Sequence, residues 1–211
     1  MIKTNTRNKV DGITLMKTID DGAVAAAFFD PQYRRLLDKM KYGNEGARQT
    51  KRCALPQMSD AVIIDFFREL NRIVKPSGYV FLWVDKFTLC TGIDEWIKGT
   101  SLSIVDLITW DKVRWGMGCR SRRKSEYLLI LQKEPKAAGA TWTDHGIPDV
   151  WTESTSTKNH PHSKPVELQK RLIEAVTQAG DLVLDPAAGS FSVLTACQEC
   201  GRIFVGGDIE G

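Results

Sequence analysis

Leu182-Val183-Leu184-Asp185-Pro186-Ala187-Ala188-Gly189-Ser190-Phe191 runs into a helical stretch ending at Cys200-Gly201, then into Ile203-Phe204-Val205-Gly206-Gly207-Asp208. This reads as a strand, a loop of small residues, a helix from Phe191 to Cys200, and a second strand that ends in an acid. It is one β-α-β unit of a parallel sheet, and such sheets bind ligands at the carboxyl ends of their strands. Ala187, Ala188 and Gly189 let a ligand come close to the backbone, and Asp208 can accept hydrogen bonds from ribose hydroxyls. The loop lacks both the three-glycine dinucleotide pattern and the lysine of a phosphate-binding loop. The pattern favours a nucleoside ligand without a pyrophosphate.

A second strand of the same kind stands near the start of the chain. Ala23-Val24-Ala25-Ala26-Ala27-Phe28-Phe29 is a continuous apolar run, as expected of a strand buried on both faces. It ends at Asp30-Pro31-Gln32-Tyr33: a carboxylate, a stiffening proline, an amide and an aromatic ring. That set suits a planar, amino-bearing ring, with Asp30 and a backbone carbonyl accepting N–H bonds and Tyr33 stacking. Upstream, Val10-Asp11-Gly12 closes a short strand and Thr14–Ile19 suits a short helix. Asp11 is then either a ligand's hydrogen-bond acceptor or a solvated turn residue.

Ser59-Asp60 caps an expected helix through Val62, Ile63, Phe66, Phe67 and Leu70, whose spacing marks them as core. Lys75-Pro76-Ser77-Gly78 breaks that helix ahead of strand 79–84. A helix near 92–98 and strands 104–110 and 127–131 complete the first part. Residues 135–158, rich in Gly, Thr, Ser and Pro, read as a poorly structured insert carrying Trp142 and Trp151. His160-Pro161-His162-Ser163-Lys164-Pro165 then leads into a helix over 166–178.

With 211 residues and 42% hydrophobic content, the chain has enough for one good core but not two full domains. Its net charge of +3 permits a polyanionic partner without demanding one, so local clustering matters more. Five scattered cysteines do not form a secreted disulfide framework, and Cys197 and Cys200 lack the further ligands of a zinc site. No metal is expected. No signal peptide or membrane-span-length apolar run is visible, and the expected setting is cytoplasmic.

Basic residues gather in two places. Arg34, Arg35, Lys39, Lys41, Arg48, Lys51 and Arg52 lie in a glycine-containing stretch directly after Tyr33. Arg114, Arg120, Arg122 and Arg123 surround Trp115 within 112–124. Phosphate contacts suit the first, and cations interleaved with an aromatic suit extruded or single-stranded nucleic acid in the second.

Taken together, these motifs resemble the β class of DNA amino-methyltransferases. The family's Asp-Pro-Pro-Tyr tetrad is Asp30-Pro31-Gln32-Tyr33 here, and its Asp-Pro-Phe-x-Gly-Ser-Gly loop is Asp185 to Phe191. Its His-Pro-Thr-x-Lys-Pro segment is His160 to Pro165. The segment Asn71-Arg72-Ile73-Val74-Lys75-Pro76-Ser77-Gly78 is similar to the family's helix-to-strand turn. Gln32 stands for a proline and Phe191 for a glycine, which narrows the cofactor loop.

The resemblance implies an α/β, Rossmann-like S-adenosylmethionine-dependent methyltransferase fold with permuted motif order. The expected sheet is mostly parallel and seven-stranded, with helices on both faces. A single domain is implied, with a catalytic half 1–134, a recognition insert 135–158 and a cofactor-binding part 159–211. It also implies catalytic roles for Asp30, Pro31, Gln32 and Tyr33. Cofactor contacts are implied for Asp11, Phe29, Ser163, Lys164, Pro165, Asp185, Ala187, Gly189, Ser190, Phe191, Asp208 and Ile209. The expected DNA contacts are Arg34, Lys39, Lys41, Arg48, Lys51, Arg52, Arg114, Trp115, Arg120, Arg122 and Arg123.

The implied reaction is N6-adenine methylation of double-stranded DNA after base flipping, since an Asp-first tetrad goes mainly with adenine in this family. Alternatives are an N4-cytosine enzyme, a methyltransferase of RNA or small molecules, and a non-catalytic nucleic-acid binder on the same fold. The short recognition region points to either a homodimer or relaxed specificity.

Overall fold

The computed structural model describes residues 2–32, 58–116, 120–154 and 163–209. Eight strands in these residues form one sheet in the order β1-β8-β7-β2-β3-β5-β4-β6. The strands are β1 (Asn8–Lys9), β2 (Val24–Phe29), β3 (Val74–Val84), β4 (Leu102–Asp111), β5 (Ser125–Lys133), β6 (Val150–Thr152), β7 (Leu182–Asp185) and β8 (Ile203–Asp208). All neighbours are parallel except β5, which runs antiparallel to both β3 and β4. The expected seven strands are therefore corrected to eight. Very short strands close both edges, and β6 comes from the segment read as an unstructured insert.

Side chains on the central strands alternate between two cores, as period-2 geometry requires of a sheet covered on both sides. Val24, Ala27 and Phe29 of β2 join Val80, Leu82 and Val84 of β3 on one face. Ala26 and Phe28 join Tyr79, Phe81 and Trp83 on the other. The first face is covered by α1 (Gly12–Met16) and α2 (Asp60–Ile73), the second by α6 (Val166–Val176) and α7 (Ser192–Cys200). Three short helices, α3 (Lys86–Thr91), α4 (Asp94–Ile97) and α5 (Ala138–Thr141), fill the connections.

Local chemistry explains the helix ends. Ser59 caps α2, its hydroxyl accepting from the Val62 N–H at 3.3 Å. Ile63, Phe66, Phe67, Leu70 and Ile73 form the buried stripe of α2. Gly12 is required by close approach, because a Cβ there would collide with the Pro186 carbonyl and the Phe66 ring. Lys75-Pro76-Ser77-Gly78 does end α2 but also bulges within β3, where pairing with β2 jumps from Val74 to Tyr79.

The expected helix near 92–98 is α4, and a further short helix, α3, precedes it. The segment 135–158 is more ordered than its composition suggests. The Thr143 N–H donates to the Ala175 carbonyl at 2.9 Å, and Arg171 Nε pairs with Asp144 at 2.6 Å. Trp142 and Trp151 pack partly buried against the second core. Glu153 then caps α6, whose N-cap Pro165 has no side chain to do so. Its carboxylate accepts from the N–H groups of Glu167 at 3.3 Å and Leu168 at 3.1 Å.

Arg72, in the last turn of α2, fastens that helix to the end of α1. Its guanidinium donates to the carbonyls of Ile19 and Met16, both at 2.9 Å, and pairs with Glu69 at 2.7 Å. Asp21 also pairs with it, but that carboxylate is exposed and contributes little. Arg72→Ala is expected to destabilise the protein by about 3 kcal/mol, mostly through two carbonyls losing charged donors. Urea unfolding measures it. A loss near zero would mean that solvent replaces the guanidinium at those carbonyls.

Candidate functional site

The parallel strands β1, β8, β7, β2 and β3 all point their carboxyl ends the same way, and each runs into an aspartate. In sheet order these are Asp11, Asp208, Asp185, Asp30 and Asp85. A row of acids at strand ends is where an α/β sheet places ligand-binding groups.

The five are not equivalent. Asp11 and Asp85 act as helix caps: Asp11 Oδ1 accepts from the Thr14 N–H at 2.9 Å, and Asp85 Oδ1 from the Phe87 and Thr88 N–H groups at 3.1 and 2.8 Å. Asp11 is exposed, and its carboxylate serves as the cap of α1. Asp208 Oδ2 accepts from the Gly189 N–H at 3.2 Å and holds the small-residue loop against the end of β8.

Asp185 is 6% exposed. Burial pushes its carboxyl up to about 8; the Ala187 N–H opposes this, while Asp30 and Asp208 add to it and Lys164 opposes it.

Asp30, directly after β2, is tied to Lys164, whose Nζ lies 3.0 Å from its Oδ2. Pro31 is buried and Gln32 exposed, and the Gln32 carbonyl accepts from the Met58 N–H at 2.6 Å. Lys164 also pairs with Glu126 at 2.8 Å, and Glu126 with Lys112 at 2.9 Å. Burial would lower the Lys164 ammonium, yet Asp30 and Glu126 hold it above the ordinary lysine range. Burial likewise would raise Glu126, but Lys164 and Lys112 bring it to about 2. Asp30, Asp85, Lys112, Arg122, Glu126 and Lys164 are among the residues lining one cleft of about 360 Å³.

The loop after β7 carries Ala187, Gly189 and Ser190, with Gly189 exposed and in the left-handed region at φ 46°. Ser163 and Pro165 flank Lys164, and Ile209 is 47% exposed just beyond Asp208. Two of the rings expected at the cofactor turn inward. Phe29 is fully buried and stacked on Phe66 at 4.8 Å, because strand alternation turns it under α2. Phe191, at φ 58°, turns its ring into the core beside Phe204, so it does not narrow the loop.

Of the residues expected to contact DNA, Arg114, Trp115, Arg120, Arg122 and Arg123 sit on the arm between β4 and β5, at the same end of the sheet as the cleft. Trp115 is 65% exposed with the Arg122 guanidinium 5.7 Å from its ring centre. Tyr33, Arg34, Lys39, Lys41, Arg48, Lys51 and Arg52 lie outside the described residues, as do His160, Pro161 and His162. Sequence reasoning missed Glu126, Lys112 and Asp85. The first two carried no motif. Asp85 had a faint signal, an acid after an apolar strand, in the same position as Asp30 and Asp185.

A family model described as DNA methylase matches residues 24–211. The chain is 57% identical over 207 residues to the type II methyltransferase M.HhaII of Haemophilus parahaemolyticus, covering 97% of this chain and 91% of that protein. Among solved structures it superposes on the M1.HpyAVI–SAM complex with a TM-score of 0.69 at 18% identity, over 98% of this chain and 94% of that one. It also matches the PvuII DNA methyltransferase (cytosine-N4-specific) with a TM-score of 0.72 at 14% identity, over 99% and 83% of the two chains. At such identities the two structures speak for the fold alone.

Proposed function

This chain belongs to the N6/N4 DNA methylase family and is an S-adenosylmethionine-dependent DNA methyltransferase; we propose that its target is the N6 amino group of adenine, presented by base flipping. The observation that carries the adenine reading is Asp30. It heads the tetrad, stands at the end of a central strand and opens on the cleft.

The strand-end residues suit the cofactor. Burial disfavours ionisation of Asp185, with the charges of Asp30 and Asp208 adding to it, and a ligand carrying a sulfonium and an ammonium favours the carboxylates there. Asp208 suits a ribose diol, and exposed Gly189 leaves the loop backbone open to close approach. When bound, S-adenosylmethionine supplies a methyl group on a positively charged sulfur that becomes a neutral thioether once the methyl has left.

The difficulty lies with the acceptor, because the lone pair of an exocyclic amine is delocalised into the ring. Asp30 accepts one amino hydrogen and the Pro31 carbonyl the other, which draws the nitrogen toward tetrahedral geometry and aims its lone pair. As the nitrogen takes the methyl, its surplus proton passes to Asp30 and then to water. Such a transfer depends on positioning and preorganised charge. The exposed Trp115 and its neighbouring arginines are suited to hold the strand whose base is out of the stack.

Nucleoside mass spectrometry of unmethylated DNA incubated with the protein and S-adenosylmethionine tests the reading. N6-methyladenine is expected. N4-methylcytosine would overturn the choice of base, and no methylated nucleoside would overturn the assignment of activity to this chain alone.

A further inference from the structure

Glu126 belongs to no motif of the reaction, yet it sits between two lysines at the mouth of the cleft. One carboxylate oxygen lies 2.8 Å from Lys164 Nζ and the other 2.9 Å from Lys112 Nζ. Lys164 reaches on to Asp30 Oδ2 at 3.0 Å, with its ammonium 5.0 Å from the ring centre of buried Trp83. The Lys164 side chain is only 14% exposed. Asp30, Lys164, Glu126 and Lys112 form a line of alternating charge that sums to zero.

Such a line has consequences for Asp30. A shielded ammonium with a single carboxylate partner would bind that partner strongly and weaken it as an acceptor for anything else. With Glu126 on its other side, the same ammonium is shared. Glu126 is itself held in place from behind by Lys112, whose ammonium lies 5.9 Å from the Trp110 ring centre.

We propose that Glu126 is a positioning residue for methyl transfer: through Lys164 it fixes the direction of Asp30 Oδ2 and takes up part of the ammonium's charge, leaving Asp30 a strong acceptor for the amino group. The inference rests on the reading of Asp30 as that acceptor. Among the described residues, the charged groups that bear on Asp30 include Lys164, from the segment before α6, and Asp185, from β7.

The test uses the full chain, unmethylated duplex DNA and saturating S-adenosylmethionine, with single-turnover rates followed against pH and cofactor affinity titrated separately. Glu126→Gln is expected to slow transfer by about 10- to 100-fold, the scale of a slightly misplaced reacting group. Cofactor affinity stays unchanged, and the acidic limb of the rate profile moves to lower pH because the whole ammonium charge now falls on Asp30. Glu126→Asp restores part of the rate.

Lys112→Met moves the limb the other way, to higher pH, and serves as the readout should Glu126→Gln fail to fold. A normal rate and profile for Glu126→Gln, beside an inactive Asp30→Ala, would overturn this inference and leave the reading of Asp30 standing. Rate, cofactor affinity and melting temperature falling together with no shift of the limb would also overturn it, in favour of a structural role. An active Asp30→Ala would remove the reading beneath it.

Discussion

Asp30→Ala is expected to lower methyl transfer by about 10²–10⁴-fold, the range associated with removing a positioned proton acceptor, while S-adenosylmethionine still binds. The carboxylate is half-exposed at the cleft, so its loss opens no large core cavity. Lys164 keeps Glu126 as a partner when Asp30 is gone, and the folded structure should persist. Nucleoside mass spectrometry of DNA treated with either protein measures the loss, and cofactor titration shows whether binding survives. Normal methylation by Asp30→Ala would sink the proposed chemistry. Loss of cofactor binding along with activity would assign Asp30 to the cofactor site instead.

The second large effect belongs to Asp185. Its carboxyl titrates at about 8 in the folded protein, against the ordinary aspartate value near 4 in an unfolded chain. Between those values the folded state holds a proton that the unfolded state does not. Its share of stability is therefore complete below about pH 4 and is lost as pH rises through about 8. Asparagine keeps the shape, can still accept from the Ala187 N–H, and never ionises.

Ligand-free Asp185→Asn should melt several degrees above the unsubstituted protein at pH 9, with the two converging towards pH 4. Cofactor affinity should move the opposite way. In the unsubstituted protein it strengthens as pH rises through about 8, where the carboxylate forms; in Asp185→Asn it is weaker throughout and flat across that range. Thermal scans and cofactor titrations at several pH values check both. A melting difference that does not change with pH would show that Asp185 is ionised throughout.

What was legible in the sequence, and what was not, divides along a physical line. Continuous apolar runs ending in turn chemistry announced β2, β7 and β8, because strands buried on both faces leave no polar alternation. The Asp-Pro-containing loops marked Asp30 and Asp185 as candidates, since ligand contacts at strand ends use short contiguous segments. The family match spans residues 24–211 and draws on far more of the chain than those segments. Composition misled over 135–158, where glycine and threonine suggested an unstructured insert. In the fold, Trp142 and Trp151 cover the second core, and the Glu153 carboxylate reaches two N–H groups of α6. Phe29 and Phe191 adjoin ligand motifs in sequence, but the pleat of β2 and the left-handed turn before α7 direct their rings inward.

Local order along the chain therefore determined the central strands, the carboxylates that end β2, β7 and β8, and the family. Only the tertiary structure could decide which charges meet. Asp30 stands at the end of β2 and Glu126 on β5, strands that flank β3 only when the sheet is assembled, and Lys164 reaches both from the segment that leads into α6. Ion pairing depends on distance through space, to which spacing along the chain gives no guide for residues so far apart.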